Sequence, residues 1–237
     1  MSTLNIAHRG FSGRYPENTM LAFEKAVEAG ADGIELDVHL SADGVPVIIH
    51  DEWTDRTAGV AGTVKDMTLA ELRELDFSAT FRGKYGVNRI PTLEEYFELA
   101  KDSGILTNIE LKTSVFTYPG IEEKVLELID RFELRSRIWI SSFNHYSVLY
   151  MQKLAPDMPY GFLEESRIID MAAYCAAHHV QAVNPEFHMV DEAFMEDANA
   201  HGIAVNVWTV NEKEDMRRMK ELGVGMSIGN FPDRFSE

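Results

Sequence analysis

Glu35 and Asp37 are separated by one residue, as are Glu110 and Lys112, and each pair lies in a run rich in strand-forming residues. Side chains two apart on a strand point to the same side. Glu35 and Asp37 therefore share a face, as do Glu110 and Lys112, while Leu36 and Leu111 turn the other way. Two further runs end in His8-Arg9-Gly10 and His50-Asp51. Three carboxylates converging on one pocket do not all ionise without a compensating charge. A hard divalent cation held by oxygen donors, Mg²⁺ or Ca²⁺, supplies it. Taken singly, each acid reads more readily as a salt-bridge partner of Arg9, Lys112 or another cation; three at consecutive strand ends favour the metal. Three carboxylates with one such cation leave a net charge of −1, and Arg9 with Lys112 bring the pocket to +1. A phosphodiester would neutralise it, with Arg making paired contacts to phosphate oxygens and Lys acting as a point charge. His8 and His50 complete the set, because cleaving such a diester near neutral pH needs one proton acceptor and one proton donor.

These residues need a scaffold that brings several strand ends together. Strand patterns fall at 5–8, 33–38, 46–50, 107–111, 138–141, 160–163, 181–184, 203–208 and 224–228, with amphipathic helices between most of them. Met20, Phe23 and Val27 form one apolar helix face that Gly30 terminates. Ile121, Val125, Leu128 and Ile129 form another, with Glu122, Glu123 and Glu127 on the opposite side. Helices near 92–103, 145–154, 168–177, 191–201 and 212–222 follow the same logic. Alternation of this kind predicts an α/β fold that closes as a (β/α)8 barrel, whose active sites lie at the C-terminal ends of the strands. Nine strand patterns are one too many for eight staves. Ser41-Ala42-Asp43-Gly44 carries a hairpin signal. The favoured expectation is instead an irregular unit in which residues 39–44 run back to the barrel floor and 46–50 rises parallel to its neighbour. Six residues at about 3.3 Å each span roughly 20 Å, enough for that return. Residues 51–91 exceed an ordinary βα loop and are expected as an insertion over the barrel mouth.

The 237 residues are expected to form one domain, 1–237. Lys and Arg number 22 against 39 Asp and Glu, a formal charge of −17, which argues against nucleic acid and against docking on an anionic membrane. The longest apolar run, residues 171–177, is far short of a bilayer span of about 20. The first residues show neither a basic nor an apolar segment of a secretion signal, and Cys175 has no partner for a disulfide, so a cytoplasmic address is expected. Cys175 reads as a small core residue, His178-His179 as a cap or surface pair, and His145 as a helix-start residue.

In this order, His8-Arg9-Gly10, Pro16-Glu17-Asn18-Thr19, Glu35-Leu36-Asp37-Val38, His50-Asp51, Glu110-Leu111-Lys112, Ser141-Ser142-Phe143 and Val207-Trp208-Thr209-Val210-Asn211 resemble the motifs of the glycerophosphodiester phosphodiesterases over nearly the whole chain. The resemblance implies a phospholipase-C-like TIM barrel that hydrolyses glycerophosphodiesters to sn-glycerol 3-phosphate and an alcohol. It implies His8 and His50 as the acid–base pair, Glu35, Asp37 and Glu110 as ligands of Mg²⁺ or Ca²⁺, Arg9 and Lys112 as phosphate holders, and Trp208 on the glycerol side. Glu17 either braces Arg9 or caps the first helix; Asp51 either orients a histidine or begins the insertion. The last strand, Gly223-Val224-Gly225-Met226-Ser227-Ile228-Gly229-Asn230, departs from the family pattern, so no polar contacts are carried over there. Two rival readings use the same pocket. One is a lysophospholipase-D-like activity with an apolar entrance from Phe77, Phe81 and Tyr85; the other is a non-catalytic phosphodiester sensor.

Overall fold

The computed structural model describes residues 2–235, and within them eight parallel strands close into a barrel. The staves are β1 (Leu4–His8), β2 (Gly33–Leu40), β4 (Leu106–Leu111), β5 (Ile138–Ser142), β6 (Tyr160–Glu164), β7 (Ala182–Pro185), β8 (Ala204–Val207) and β9 (Met226–Gly229), with β9 pairing back onto β1. Outside them pack α1 (Met20–Glu28), α4 (Leu93–Ser103), α5 (Ile121–Arg131), α6 (His145–Leu154), α7 (Met171–Ala177), α8 (Glu192–Ala200) and α9 (Lys213–Leu222). Local chemistry sets their ends. Thr19 accepts from the Ala22 amide to start α1, Thr92 and Glu95 form a reciprocal capping box on α4, and Gly104 and Gly223 end α4 and α9 in the left-handed region.

The main core lies between staves and helices, where Leu36, Val38, Ile109, Leu111 and Ile140 meet Phe23, Tyr96, Phe97 and Val125. Inside the ring, Ile6, Met226 and Ile228 pack with Leu4, Trp139 and Trp208. One helix face departs from expectation. Glu122 is buried rather than solvent-facing, because it accepts a hydrogen bond from Ser147 Oγ at 2.6 Å.

The expected parallel rise of 46–50 is not what forms. β3 (Pro46–Ile48) pairs antiparallel with the extension of β2, matching Val38 to Ile48 and Leu40 to Pro46. The turn decides this. Ser41 N–H donates to Val45 O at 3.0 Å, Val45 N–H donates to Ser41 Oγ at 3.0 Å, and Gly44 takes φ +76°, open to glycine. β2 thus runs past the barrel rim, and the hairpin returns the chain directly to His50. Beyond it, α2 (Asp55–Ala58) and α3 (Leu69–Leu72) cover a small separate core of Val47, Ile49, Val64, Leu72, Phe77 and Ile90.

Candidate active site

Register brings the chemistry together. β1 and β2 align His8 with Glu35, and β2 and β4 align Asp37 with Glu110. His8 and Glu110 stand at the C-terminal ends of β1 and β4, and Glu35 and Asp37 share one side of β2 before it runs on past the rim. Arg9 follows in the left-handed region at φ 55°, and Gly10 at φ +75° lies so close to α1 that a Cβ would stand 2.7 Å from the Ala22 carbonyl carbon. That close approach turns the chain sharply after His8 and aims the Arg9 side chain at the rim.

Each residue of Pro16-Glu17-Asn18-Thr19 then has a partner. Glu17 Oε1 accepts from Arg9 Nη1 at 2.9 Å, Asn18 Nδ2 donates to Asp37 Oδ2 at 2.8 Å, and Thr19 caps α1 while its hydroxyl donates to Pro16 O at 2.6 Å. Glu17 also receives two bonds from Arg56 of α2, at 2.7 and 2.8 Å. Arg56 in turn donates to Asp51, which accepts from His50 Nδ1 at 2.6 Å. One charged chain, His50–Asp51–Arg56–Glu17–Arg9, therefore joins the two sides of the pocket. Burial works against the ionised Asp51 carboxylate, but its bonds to His50 and Arg56 hold it below the usual range. Since the Asp51 carboxylate only accepts, the His50 hydrogen is on Nδ1 and Nε2 remains available. His8 Nδ1 meets Asn230 Oδ1 at 2.7 Å, and its Nε2 lies 3.9 Å from Glu35 Oε2. Burial, reinforced by the Arg9 charge, lowers the His8 imidazole to about 3.

Glu35, Asp37 and Glu110 are all buried, and a carboxylate oxygen from each lies within 4.8 Å of the other two. Asp37 Oδ1 is buried without a hydrogen-bond partner; the Lys112 ammonium is 3.8 Å away and closer to Glu110, at 2.8 Å. Burial raises the Glu35 carboxyl, with Asp37 and Glu110 adding repulsion; burial also raises Glu110, opposed by Lys112. Asp37 stays low despite burial because His50, Arg9 and Lys112 surround it. An oxygen-only trio with an orphan acceptor and two acids too hard to ionise fits a divalent cation. Such a cation competes with protons on Glu35 and Glu110, whose values stand above the ordinary 4.5. Its affinity is therefore expected to fall as pH drops through those raised values and to level off above them. Thermal unfolding with Mg²⁺ or Ca²⁺ and with chelator checks this. Added metal should raise Tm, and by less as the pH is lowered from neutral towards the ordinary carboxylate range; a metal shift that is absent, or larger at the lower pH, counts against the site.

A cavity of about 320 Å³ opens over these strand ends, lined by His8, Arg9, Glu35, His50, Asn108, Glu110, Phe143, Leu163, Glu165, Trp208 and Ile228. Asp37 and Lys112 are not on its wall. Phe143 and Trp208 meet edge to face at 5.7 Å, and Trp208 Nε1 donates to Asn184 O at 2.8 Å. The apolar entrance expected from Phe77, Phe81 and Tyr85 is not formed. Phe77 is spent on the small core under α3, while Tyr85 packs on Tyr15, touches Phe81 and donates to Arg14 O at 2.7 Å. Sequence reasoning missed Asn18, Arg56, Glu165 and Asn230. Asn18 stood within a quoted motif, and Asn230 at the departure in the last strand.

The chain matches the glycerophosphoryl diester phosphodiesterase family over residues 8–234. It is 43% identical over 233 residues to a glycerophosphodiester phosphodiesterase of Caldanaerobacter subterraneus subsp. tengcongensis, covering 98% of this chain and 96% of that one. A glycerophosphodiester phosphodiesterase of Bacillus altitudinis is 42% identical over 232 residues, covering 97% of this chain and 95% of the relative. Among solved structures, an Oleispira antarctica phosphodiesterase in complex with the product sn-glycerol-3-phosphate superposes with a TM-score of 0.91 at 28% identity, covering 99% of this chain and 96% of that one. Motif order, barrel closure, the buried acidic trio and full-length similarity agree, and the chain belongs to the glycerophosphoryl diester phosphodiesterase family.

Proposed function

We propose that the protein hydrolyses small glycerophosphodiesters to sn-glycerol 3-phosphate and an alcohol, with His8 and His50 as the proton-transfer pair. The observation that carries this reading is one cavity wall bearing both histidines, Arg9, and two acids of the buried trio. Glu35, Asp37 and Glu110 would hold Mg²⁺ or Ca²⁺, which would supply positive charge against the negative charge that builds up as the diester is cleaved. Arg9, braced by Glu17, holds the phosphate, and Lys112 adds a point charge behind Glu110. One histidine takes a proton from the attacking oxygen, which is either the glycerol 2-hydroxyl or water, and the other protonates the departing alkoxide; where the 2-hydroxyl attacks, water then opens the cyclic phosphate to glycerol 3-phosphate with the two histidines in reversed roles. Trp208 and Phe143 offer an aromatic corner to the glycerol carbons.

In this reading the chain acts as one barrel domain in the cytoplasm, a location supported by its single, buried, unpaired cysteine. Residues 51–91 serve the mouth through Arg56. No helix among the described residues is long and apolar enough to cross a membrane. The test is a product assay on glycerophosphocholine, glycerophosphoethanolamine, glycerophosphoglycerol and a lysolipid, with and without chelator. The expected outcome is metal-dependent release of glycerol 3-phosphate from the small diesters. Activity confined to the lysolipid, or no turnover with any metal, counts against the proposal.

A further inference from the structure

By strand alternation, Glu35, Asp37 and His39 occupy one side of β2. His39 has no part in the chemistry described above, yet it is fully buried and both of its ring nitrogens are bonded. Nε2 lies 3.1 Å from the backbone carbonyl oxygen of His50, and Nδ1 lies 2.9 Å from the Tyr118 hydroxyl. A carbonyl oxygen only accepts, so Nε2 carries the hydrogen. Nδ1 of the neutral ring is then an acceptor, and Tyr118 donates to it. One obligate acceptor thus orders the whole chain from Tyr118 through His39 to the His50 carbonyl. The Tyr118 ring also meets His39 edge to face at 5.5 Å and 86°.

The location of this chain gives it a consequence. Ile49 N–H donates to Asp37 O at 3.1 Å, and His50 follows where the β2–β3 ladder has ended. The His50 side chain is tied to Asp51 at the rim, which fixes the ring but not the backbone that carries it. We propose that His39 and Tyr118 are positioning residues that clamp the His50 backbone, so that the imidazole meets the reacting oxygen from a fixed origin. The clamp joins three segments: β2, the end of β3, and the loop from β4 to α5 that carries Tyr118. It rests on the reading of His50 as a proton-transfer residue. A misplacement of about 1 Å in such a group can cost on the order of 10²-fold in rate.

A double-mutant cycle tests it, with His39→Leu, His39→Gln and Tyr118→Phe each made in the wild type and in His50→Ala. In the wild type, His39→Leu is expected to lower kcat about 10–100-fold with KM within about twofold, and Tyr118→Phe about 3–10-fold. His39→Gln, whose amide nitrogen can stand near the Nε2 position, should recover most of the loss. In His50→Ala the same substitutions should change kcat by less than about twofold, because the group they position is gone. Equal losses in both backgrounds would assign His39 a purely structural part and overturn the clamp. So would unchanged kcat in His39→Leu and Tyr118→Phe while His50→Ala is impaired. A His50→Ala protein at the wild-type rate would instead remove the reading of His50, and the clamp with it. Should His39→Leu fail to fold, Tyr118→Phe removes only a hydroxyl and carries the cycle alone.

Discussion

Replacing Glu35 by glutamine is expected to weaken divalent-cation binding and kcat together, each by at least about 10²-fold. Glutamine keeps the shape and an acceptor oxygen, so the 3.1 Å bond from the Arg9 amide to Glu35 Oε2 has a replacement and the barrel should fold. What is lost is one negative charge from a trio whose oxygens lie within 4.8 Å of one another. Even residues that merely support metal ligands cost about 10–100-fold when changed, so a ligand should cost no less. Glu110→Gln should behave alike, with an added effect on Lys112, whose 2.8 Å partner becomes neutral. Calorimetric titration with Mg²⁺ and Ca²⁺, run beside turnover, is the measurement. Wild-type metal affinity in either variant would remove that residue from the ligand set.

His8→Ala and His50→Ala are each expected to lower kcat by about 10²–10⁴-fold while leaving a folded protein. The two truncations differ in what they strand. His8→Ala frees Asn230 Oδ1, which still accepts from Ser12 Oγ at 3.0 Å. His50→Ala leaves Asp51 bound to Arg56 alone. The separation of their roles comes from the leaving group. A p-nitrophenyl ester departs with little need for protonation, so it should rescue loss of the acid far better than loss of the base. Equal rescue in both variants would dissolve the division of labour.

The barrel was legible because its code is local. Several staves are short runs rich in branched or aromatic residues, and helices announce themselves by a face such as Ile121, Val125, Leu128 and Ile129, all buried as expected. The acids, the two histidines and Arg9 were legible because strand ends in such barrels converge. What escaped was non-local. The direction of β3 depended on how the Ser41 hydroxyl and Gly44 shape one turn, a difference of a few bonds between two plausible paths. Arg56 reaches Glu17 across 39 positions of sequence, and Asn230 reaches His8 across 222; no spacing rule encodes either pair. Glu122 stood on the expected polar face until Ser147, on the next helix, supplied a buried partner.

The pairing of β9 with β1 joins the last stave to the first, and Asn230 arrives with that pairing to meet His8. During synthesis all three carboxylates are made by residue 110, whereas Asn230, the partner of His8, follows 120 residues later. A nascent or C-terminally clipped chain can therefore present the acids without the finished histidine. Ring closure by β9 is the step that brings His8 its partner, so the acids and the histidine are completed at different stages of synthesis.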